Sequence, residues 1–225
     1  MKYYPINLAI SGRKCVVIGG GEVAARKIAT LLDCGASIEV ISPDLTEGLR
    51  KLSAEGKLNW REKPYSPGDL TGAFLVIAAT DDEEVQARVF TEASEAGQLV
   101  NVADVPVRCN FILPALISRG DLVLAVSTAG KSPALARMIS RELAEAYGDE
   151  YATVVDIMGL LRPLVLARGL DHRRNREIFT SLLHPELPTW VKEGDWPRLR
   201  GHLSTVLGAD PETECLKKIE KMLNC

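Results

Sequence analysis

Val16-Val17-Ile18-Gly19-Gly20-Gly21-Glu22-Val23-Ala24-Ala25-Arg26-Lys27 is the stretch on which the fold turns. A β-branched apolar run stops at three glycines, and a helix-forming sequence follows. Gly19, Gly21 and Ala24 have the G-x-G-x-x-G/A spacing of a dinucleotide site, with Gly20 inside the turn. The first glycine permits the tight turn. The second lets the backbone approach a pyrophosphate, and the small third residue lets helix and strand pack closely. The amides at the helix N-terminus then face the phosphates, where the helix dipole favours negative charge.

Working outward, Ala24, Ile28, Leu31 and Leu32 repeat with helical spacing, Gly35 stops the helix, and Ser37 to Ile41 supplies a second strand. This is a β-α-β unit. Tyr4 to Ile10 is an apolar lead-in or strand beside the first strand. Ser42-Pro43-Asp44 ends the second strand and begins a helix to about Ala54. Leu58 to Arg61 is a short strand, and Ala73 to Ala79 is a continuous apolar run suited to a central parallel strand. A helix over Glu83 to Glu95 and a strand over Leu99 to Val102 follow. This alternation predicts an α/β, Rossmann-like doubly wound parallel sheet.

The pattern changes after Asp104. Asn110 to Leu116 and Asp121 to Ser127 read as two strands around Ser118-Arg119-Gly120. Ser132 caps a helix with Pro133 at its first position, running to about Tyr147. The remainder reads as helical, with Val154, Ile157, Met158, Leu161 and Val165 as one stripe. Shorter helices follow over Arg174 to Leu182, Trp196 to Leu207 and Glu212 to Leu223. The expected division is a dinucleotide-binding domain over 1–113, a small α+β segment over 114–148 and a helical C-terminal domain over 149–225.

Composition narrows the function. The chain has 225 residues, 46% of them hydrophobic, and a net charge of -3, which argues against a nucleic-acid-binding protein. The sequence has no apolar run of membrane-spanning length and no signal-peptide core at its start, so no membrane association and a cytoplasmic location are expected. The five cysteines form no C-x-x-C pair, and Cys15 and Cys34 read as core thiols. The three histidines, His172, His184 and His202, lack helix-face spacing, so no protein-held metal site is expected.

In a doubly wound sheet the ligand lies beyond the carboxyl ends of the strands. Four such ends are visible: the glycine turn, Ser42-Pro43-Asp44, Ala78-Ala79-Thr80-Asp81 and Asn101-Val102-Ala103-Asp104. An acid near the second end bonds ribose hydroxyls and disfavours a 2′-phosphate, so Asp44 favours NAD. Its alternative role is to cap the following helix. Small residues before Thr80 and Asp81 leave room for the nicotinamide ribose. Asp104 lies where the nicotinamide end belongs, and a carboxylate there accepts a proton as hydride leaves. Its alternative role is that of a turn residue before Pro106.

GGGEVAARK, ATDD, NVAD, CNFILPA and VSTAGKSPALAR together resemble the precorrin-2 dehydrogenase/sirohydrochlorin ferrochelatase family, the N-terminal module of siroheme synthase and its stand-alone relatives. The resemblance covers residues 1 to about 147. It implies oxidation of precorrin-2 to sirohydrochlorin with NAD, followed in many members by insertion of Fe2+ to give siroheme. It assigns the catalytic role to Asp104 and cofactor contacts to Glu22, Val23, Pro43, Asp44, Asn101 and Val102. It implies a homodimer built around 114–147 and brings Asn110, Thr128 and Ser132 to the substrate. Where some members carry a phosphorylatable serine this chain has Thr128, and phosphorylation is not expected. The length leaves no room for the methyltransferase domain of siroheme synthase, so methylation is expected of another protein.

A tetrapyrrole with eight carboxylates needs cations, and Arg108, Arg119, Lys131 and Arg137 lie in the motifs that carry the resemblance. His172-Arg173-Arg174-Asn175-Arg176 is a second basic group or a solvated helix face. Two other readings remain: an NAD-sensing module without catalysis, which has no need of Asp104, and a dehydrogenase for a small acid. The tail's lack of a His/Asp or Lys/Tyr pair counts against the latter.

Overall fold

The computed structural model describes residues 2–208 and 214–223, and it divides into two compact units, Met1–Leu113 and Pro114–Cys225. The first unit is built on five parallel strands: β1 (Lys14–Ile18), β2 (Ser37–Ser42), β3 (Asn59–Glu62), β4 (Leu75–Ala78) and β5 (Leu99–Val102). Their order in the sheet is β3-β2-β1-β4-β5. Connections therefore run outward in both directions from β1, and a crevice opens where β1 and β4 part. Helices α1 (Glu22–Asp33), α2 (Glu47–Ala54) and α3 (Glu83–Glu95) make the crossovers.

The apolar run of β1 is buried on both faces. Cys15 and Val17 join Ile38, Val40, Leu75 and Ile77 against Ala24, Ile28 and Leu31 of α1 and Leu49 of α2. Val16 and Ile18 join Ile41, Val76 and Val100 on the other face, against Val89 and Ala93 of α3. Alternate residues of one strand thus serve two cores, which is why the strand sequences are apolar throughout.

The second unit begins with an antiparallel hairpin, β6 (Ala115–Arg119) and β7 (Leu122–Val126), in register Ala115 with Val126. Helix α4 (Pro133–Ala146) is capped by the Ser132 hydroxyl, which accepts from the Leu135 amide at 3.2 Å. Helices α5 (Glu150–Leu166), α6 (His172–Leu182), α7 (Leu187–Glu193), α8 (Trp196–Leu207) and α9 (Glu214–Leu223) surround a core containing Ile157, Leu161, Leu182, Leu199 and Ile219. Residues 114–148 and the helices after them belong to one unit.

Several expectations are corrected. The helix after β2 begins at Glu47, not at Asp44, because Thr46 supplies the capping oxygen to the Leu49 amide. Residues 4–10 form no strand. The first hairpin strand starts at Ala115 rather than Asn110, because Asn110 is drawn to the edge of β5. Cys15 is buried, but Cys34 is exposed at the C-cap of α1. A 3-10 turn over Pro106–Arg108 and the seven residues of α7 were not legible as helix. The expected helix start at Glu212 lies outside the described residues.

A buried carboxylate fastens the loop before β4. Asp69 is 7% exposed, accepts from the Ser66 amide at 2.8 Å, and pairs with Lys63 at 2.7 Å and Arg61 at 3.0 Å. Burial pushes its carboxyl upward, but Lys63, the Ser66 amide and Arg61 outweigh that and hold it below the usual carboxylate range. A depressed folded-state pKa contributes stability above the unfolded value of about 3.9, lost as pH falls through the folded value. Asp69→Asn is expected to cost about 1–3 kcal/mol at neutral pH, and that difference should shrink in acid. Urea unfolding of both proteins across the acid range checks this.

Candidate functional site

The site is assembled from four strand ends, joined by hydrogen bonds that continue the ladder past the sheet. The Gly19 amide donates to Ile41 O at 3.0 Å, Thr46 N–H to Gly20 O at 2.9 Å, Ala79 N–H to Ile18 O at 2.8 Å and Ala103 N–H to Ala78 O at 2.8 Å. These bonds bring the glycine turn, the segment after β2, the β4–α3 turn and the end of β5 to one edge. A cleft of about 210 Å³ opens there, lined by Val23, Ala79, Thr80, Asp81, Ala103 and Asp104 among others.

The three glycines serve different masters. Gly19 has φ of 109°, and a Cβ on it would lie 2.1 Å from Ala79 O. A Cβ on Gly20 would lie 2.1 Å from Asp44 O. Both glycines are therefore demanded by the protein's own packing. Gly21 is not: its φ is -83° and a Cβ there would meet nothing within 4 Å. It is the N-cap of α1 with no side-chain cap, so the first-turn amides of Glu22 and Val23 have no capping oxygen from Gly21. Open space above uncapped amides at a helix N-terminus fits a pyrophosphate.

Asp104 follows β5 with its backbone in the left-handed region, φ 60°, a conformation favoured by Asp and Asn among residues with a side chain. Its exposed carboxyl lines the cleft with Val23 and Thr80. The Thr80 turn is held by Gln86, whose Nε2 donates to Thr80 O at 2.7 Å, and by Asp82, which caps α3. Arg108 is half-buried and donates to Glu83 O at 3.3 Å, beside the same turn. Asp81 is exposed at the rim.

Other expected residues are placed differently. Val102 is buried in the core, and Asn101 is buried with its Nδ2 donating to Phe111 O at 3.1 Å. Neither side chain lines the cleft. Asn110 spends its amide on β5: Oδ1 accepts from Val100 N–H at 2.8 Å and Nδ2 donates to Gln98 O at 2.8 Å. These bonds fasten the loop to the edge of β5. Cys109 helps, its sulfur accepting from the Val102 amide at 3.3 Å. Pro43 and Asp44 are exposed after β2. The Asp44 carboxylate accepts from the Leu45 amide at 2.8 Å and pairs with Arg50, whose guanidinium stands over Trp60. It does not cap α2.

In the second unit, the Thr128 hydroxyl exchanges hydrogen bonds with the backbone of Ser132, at 3.0 and 3.1 Å, and Ser132 caps α4. Both hydroxyls shape the turn that Ala129 enters with φ of 54°. Arg119 is also structural, donating to Tyr147 O and Ala144 O at the end of α4. Lys131 and Arg137 are exposed. In the second basic group, Arg173 pairs with Glu177 at 3.1 Å along α6.

Sequence reasoning missed Lys27. It lies one turn after Val23 on α1 and is half-buried. Burial pushes its ammonium below the usual lysine value, Arg26 adds to the fall, and the Asp104 carboxylate opposes it. The i, i+4 relation to Val23 was the available signal.

A parallel sheet of this order, a glycine turn into α1 and a cleft over the strand ends define a Rossmann-type dinucleotide-binding protein. Residues 6–115 match the NAD(P)-binding family model, and residues 119–146 match the model of the sirohaem biosynthesis protein central domain. With these two segments in succession, the chain is similar to the precorrin-2 dehydrogenase/sirohydrochlorin ferrochelatase family, which includes the N-terminal module of siroheme synthase. It is 39% identical over 194 residues to the siroheme synthase of Photorhabdus laumondii, covering 86% of this chain and 41% of that protein. With the siroheme synthase of Nitrosococcus oceani the identity is 35% over 207 residues, 92% of this chain and 44% of that protein. The chain thus spans about two fifths of the length of the curated relatives it matches. The solved structure of SirC, precorrin-2 dehydrogenase, superposes with a TM-score of 0.77 at 29% identity, over 92% of this chain and 100% of that one.

The division of labour among the glycines is testable. Gly20→Ala is expected to destabilise the chain by about 1–3 kcal/mol or more through overpacking against the Asp44 carbonyl. Gly21→Ala should cost about 1 kcal/mol or less, as an N-cap change, while weakening NAD binding. Thermal unfolding and calorimetric titration with NAD separate the two.

Proposed function

We propose that this chain oxidises precorrin-2 to sirohydrochlorin with NAD as acceptor, the reading that also fits the family it resembles and the SirC precorrin-2 dehydrogenase likeness. The observation that carries it is Asp104, a solvent-reaching carboxylate in left-handed backbone, lining one cleft with the start of α1 and the Thr80 turn. The oxidation removes two hydrogens from the macrocycle, one as hydride and one as proton. NAD, when bound, supplies the hydride acceptor. The Asp104 carboxylate takes the proton and returns it to solvent. The exposed Asp44 carboxylate after β2 bonds the adenosine ribose and disfavours a 2′-phosphate, so NAD is preferred to NADP. Arg108, Lys131 and Arg137 are the cations offered to substrate carboxylates.

Insertion of Fe2+ into sirohydrochlorin would follow on the same chain. The macrocycle supplies four nitrogen ligands, so the protein need supply a base and no preformed metal cage. Among the described residues no group of three or more His, Cys, Asp and Glu side chains converges as a cage.

The second unit, with 114–148 as its dimerisation segment and 149–225 as its helical part, would pair two chains. The hairpin and α4 expose Leu116, Val123, Leu135 and Met138 to solvent, an apolar surface suited to a second copy. Val123→Glu is expected to convert a dimer to monomer in sedimentation at micromolar concentration. An unchanged dimer would move the interface elsewhere.

The defining experiment is anaerobic incubation of the protein with precorrin-2 and NAD, following sirohydrochlorin absorbance, with Fe2+ added afterwards. Asp104→Asn is expected to bind NAD normally and to lose turnover by about 10²–10⁴-fold. Unimpaired turnover in that variant removes Asp104 from the chemistry. NAD binding without turnover in the unaltered chain supports an NAD-sensing module instead. A spectral change with Fe2+ no faster than without protein removes the chelatase step.

A further inference from the structure

Asp44 stands beside the glycine turn. A Cβ on Gly20 would lie 2.1 Å from its carbonyl oxygen, and the Thr46 amide donates to Gly20 O at 2.9 Å. The segment after β2 is thus held against the start of α1. The two oxygens of the Asp44 carboxylate are used unequally. Oδ1 accepts from the Leu45 amide at 2.8 Å and also from Arg50 Nη2, which makes the ion pair. Oδ2 has no hydrogen-bond partner among the described residues. Arg50 is fixed in its own right: its Nε donates to Leu45 O at 3.0 Å, and its guanidinium stands 5.6 Å over the Trp60 ring. Trp60, on β3, is anchored in turn by its Nε1, which donates to Ser42 O at 3.0 Å. A chain of bonds therefore runs from the end of β2 through β3 and α2 back to one oxygen of Asp44. The Asp44 and Arg50 side chains are 77% and 54% exposed, so a ligand reaches both.

We propose that Arg50 is a positioning residue for Asp44 and a masked phosphate-binding group. By holding Oδ1 it leaves Oδ2 free to accept from the ribose hydroxyls of NAD, and once Asp44 is removed it takes the 2′-phosphate of NADP. This rests on the assignment of Asp44 to the adenosine ribose and extends it to a second residue. An exposed aspartate by itself rotates freely, and ordering it on ligand binding costs entropy. Here the Leu45 amide and the Arg50 guanidinium meet at one oxygen, so the carboxylate is set before the ligand arrives. A 2′-phosphate brought to this place meets the Asp44 charge, and the guanidinium that could receive it is already engaged by that charge. The planar fork of arginine suits phosphate as well as carboxylate. Asp44 thus disfavours NADP twice, by repulsion and by occupying the cation beside it.

The test is calorimetric titration of the full chain with NAD and with NADP, without tetrapyrrole, and with thermal unfolding of each variant as a control. Arg50→Met is expected to weaken NAD binding by about 2–5-fold, the range of an exposed ion pair. Asp44→Ala should weaken NAD and strengthen NADP, each by about tenfold, as Arg50 turns from carboxylate to phosphate. In the variant carrying both changes the gain for NADP should be lost. Its NAD affinity should equal that of Asp44→Ala alone, because Arg50 acts on NAD only through Asp44. Arg50→Gln, polar but uncharged, should match Arg50→Met and serves in its place if that variant is unstable.

Unchanged NAD affinity in Arg50→Met overturns the positioning role. So does a loss of NAD affinity that is as large without Asp44 as with it, since Arg50 would then act on the fold or on NAD directly. An NADP affinity that rises equally in Asp44→Ala and in the double variant overturns the masked phosphate site, because only repulsion was relieved. Unchanged NAD affinity in Asp44→Ala takes Asp44 away from the ribose, and the role of Arg50 falls with it. None of these outcomes depends on precorrin-2 turnover, so the dehydrogenase reading stands or falls by its own assay.

Discussion

The closeness of backbone to backbone at the ends of the central strands is the constraint on which the first unit depends. Gly19 and Gly20 lie against the carbonyls of Ala79 and Asp44 at separations that no Cβ tolerates. That contact lets the hydrogen-bond ladder run on beyond β1, with the Gly19 amide reaching Ile41 O and Thr46 reaching Gly20 O. Three chain segments are thereby held at the same edge as the start of α1. Without this approach the strand ends would splay, and the carboxylate after β5 would have no fixed relation to the helix amides. The chemistry of the site is thus downstream of sterics, and the sterics are those of two missing methyl groups.

Much of this was legible because the local and the tertiary demands agree. The run Cys15 to Ile18 is apolar at every position, since its alternate residues feed opposite cores. Asp82 caps α3 and Gly97 follows it, so the bounds Glu83–Glu95 could be read from the chain alone. The same holds for Ser132-Pro133 at the start of α4. The start of α2 was misplaced because Pro43-Asp44 and Thr46 are both reasonable openings. Only the bond from Thr46 to Gly20 O, made across the sheet edge, decides between them. Helix α7 escaped because its seven residues carry too little periodicity, and Trp190 and Leu187 acquire meaning only when packed with α5 and α8.

The site was read less completely than the fold. Asp104 was accessible through its place after the last parallel strand, β5. Asn110, Asn101, Thr128 and Ser132 have side chains that bind ligands and backbones equally well, and nothing in a linear sequence says which. In the structure each is bonded to backbone: Asn110 to β5, Asn101 to Phe111, and the two hydroxyls to the turn before α4. Lys27 was overlooked for the opposite reason. A lysine in mid-helix usually means solvent, and its half-burial appears only once α1 is packed on the sheet.

The loop that carries Asp104 is closed at both ends. It leaves the sheet at Val102 and returns to it at Asn110, whose amide replaces a missing strand on the edge of β5, while the Cys109 sulfur fills the turn between. Such a ring has a fixed circumference. An added or deleted residue cannot be absorbed as slack, because the return point is specified by paired bonds to Gln98 and Val100. Between these anchors length is as tightly set as residue identity, and divergence among related chains should proceed there by substitution rather than by insertion.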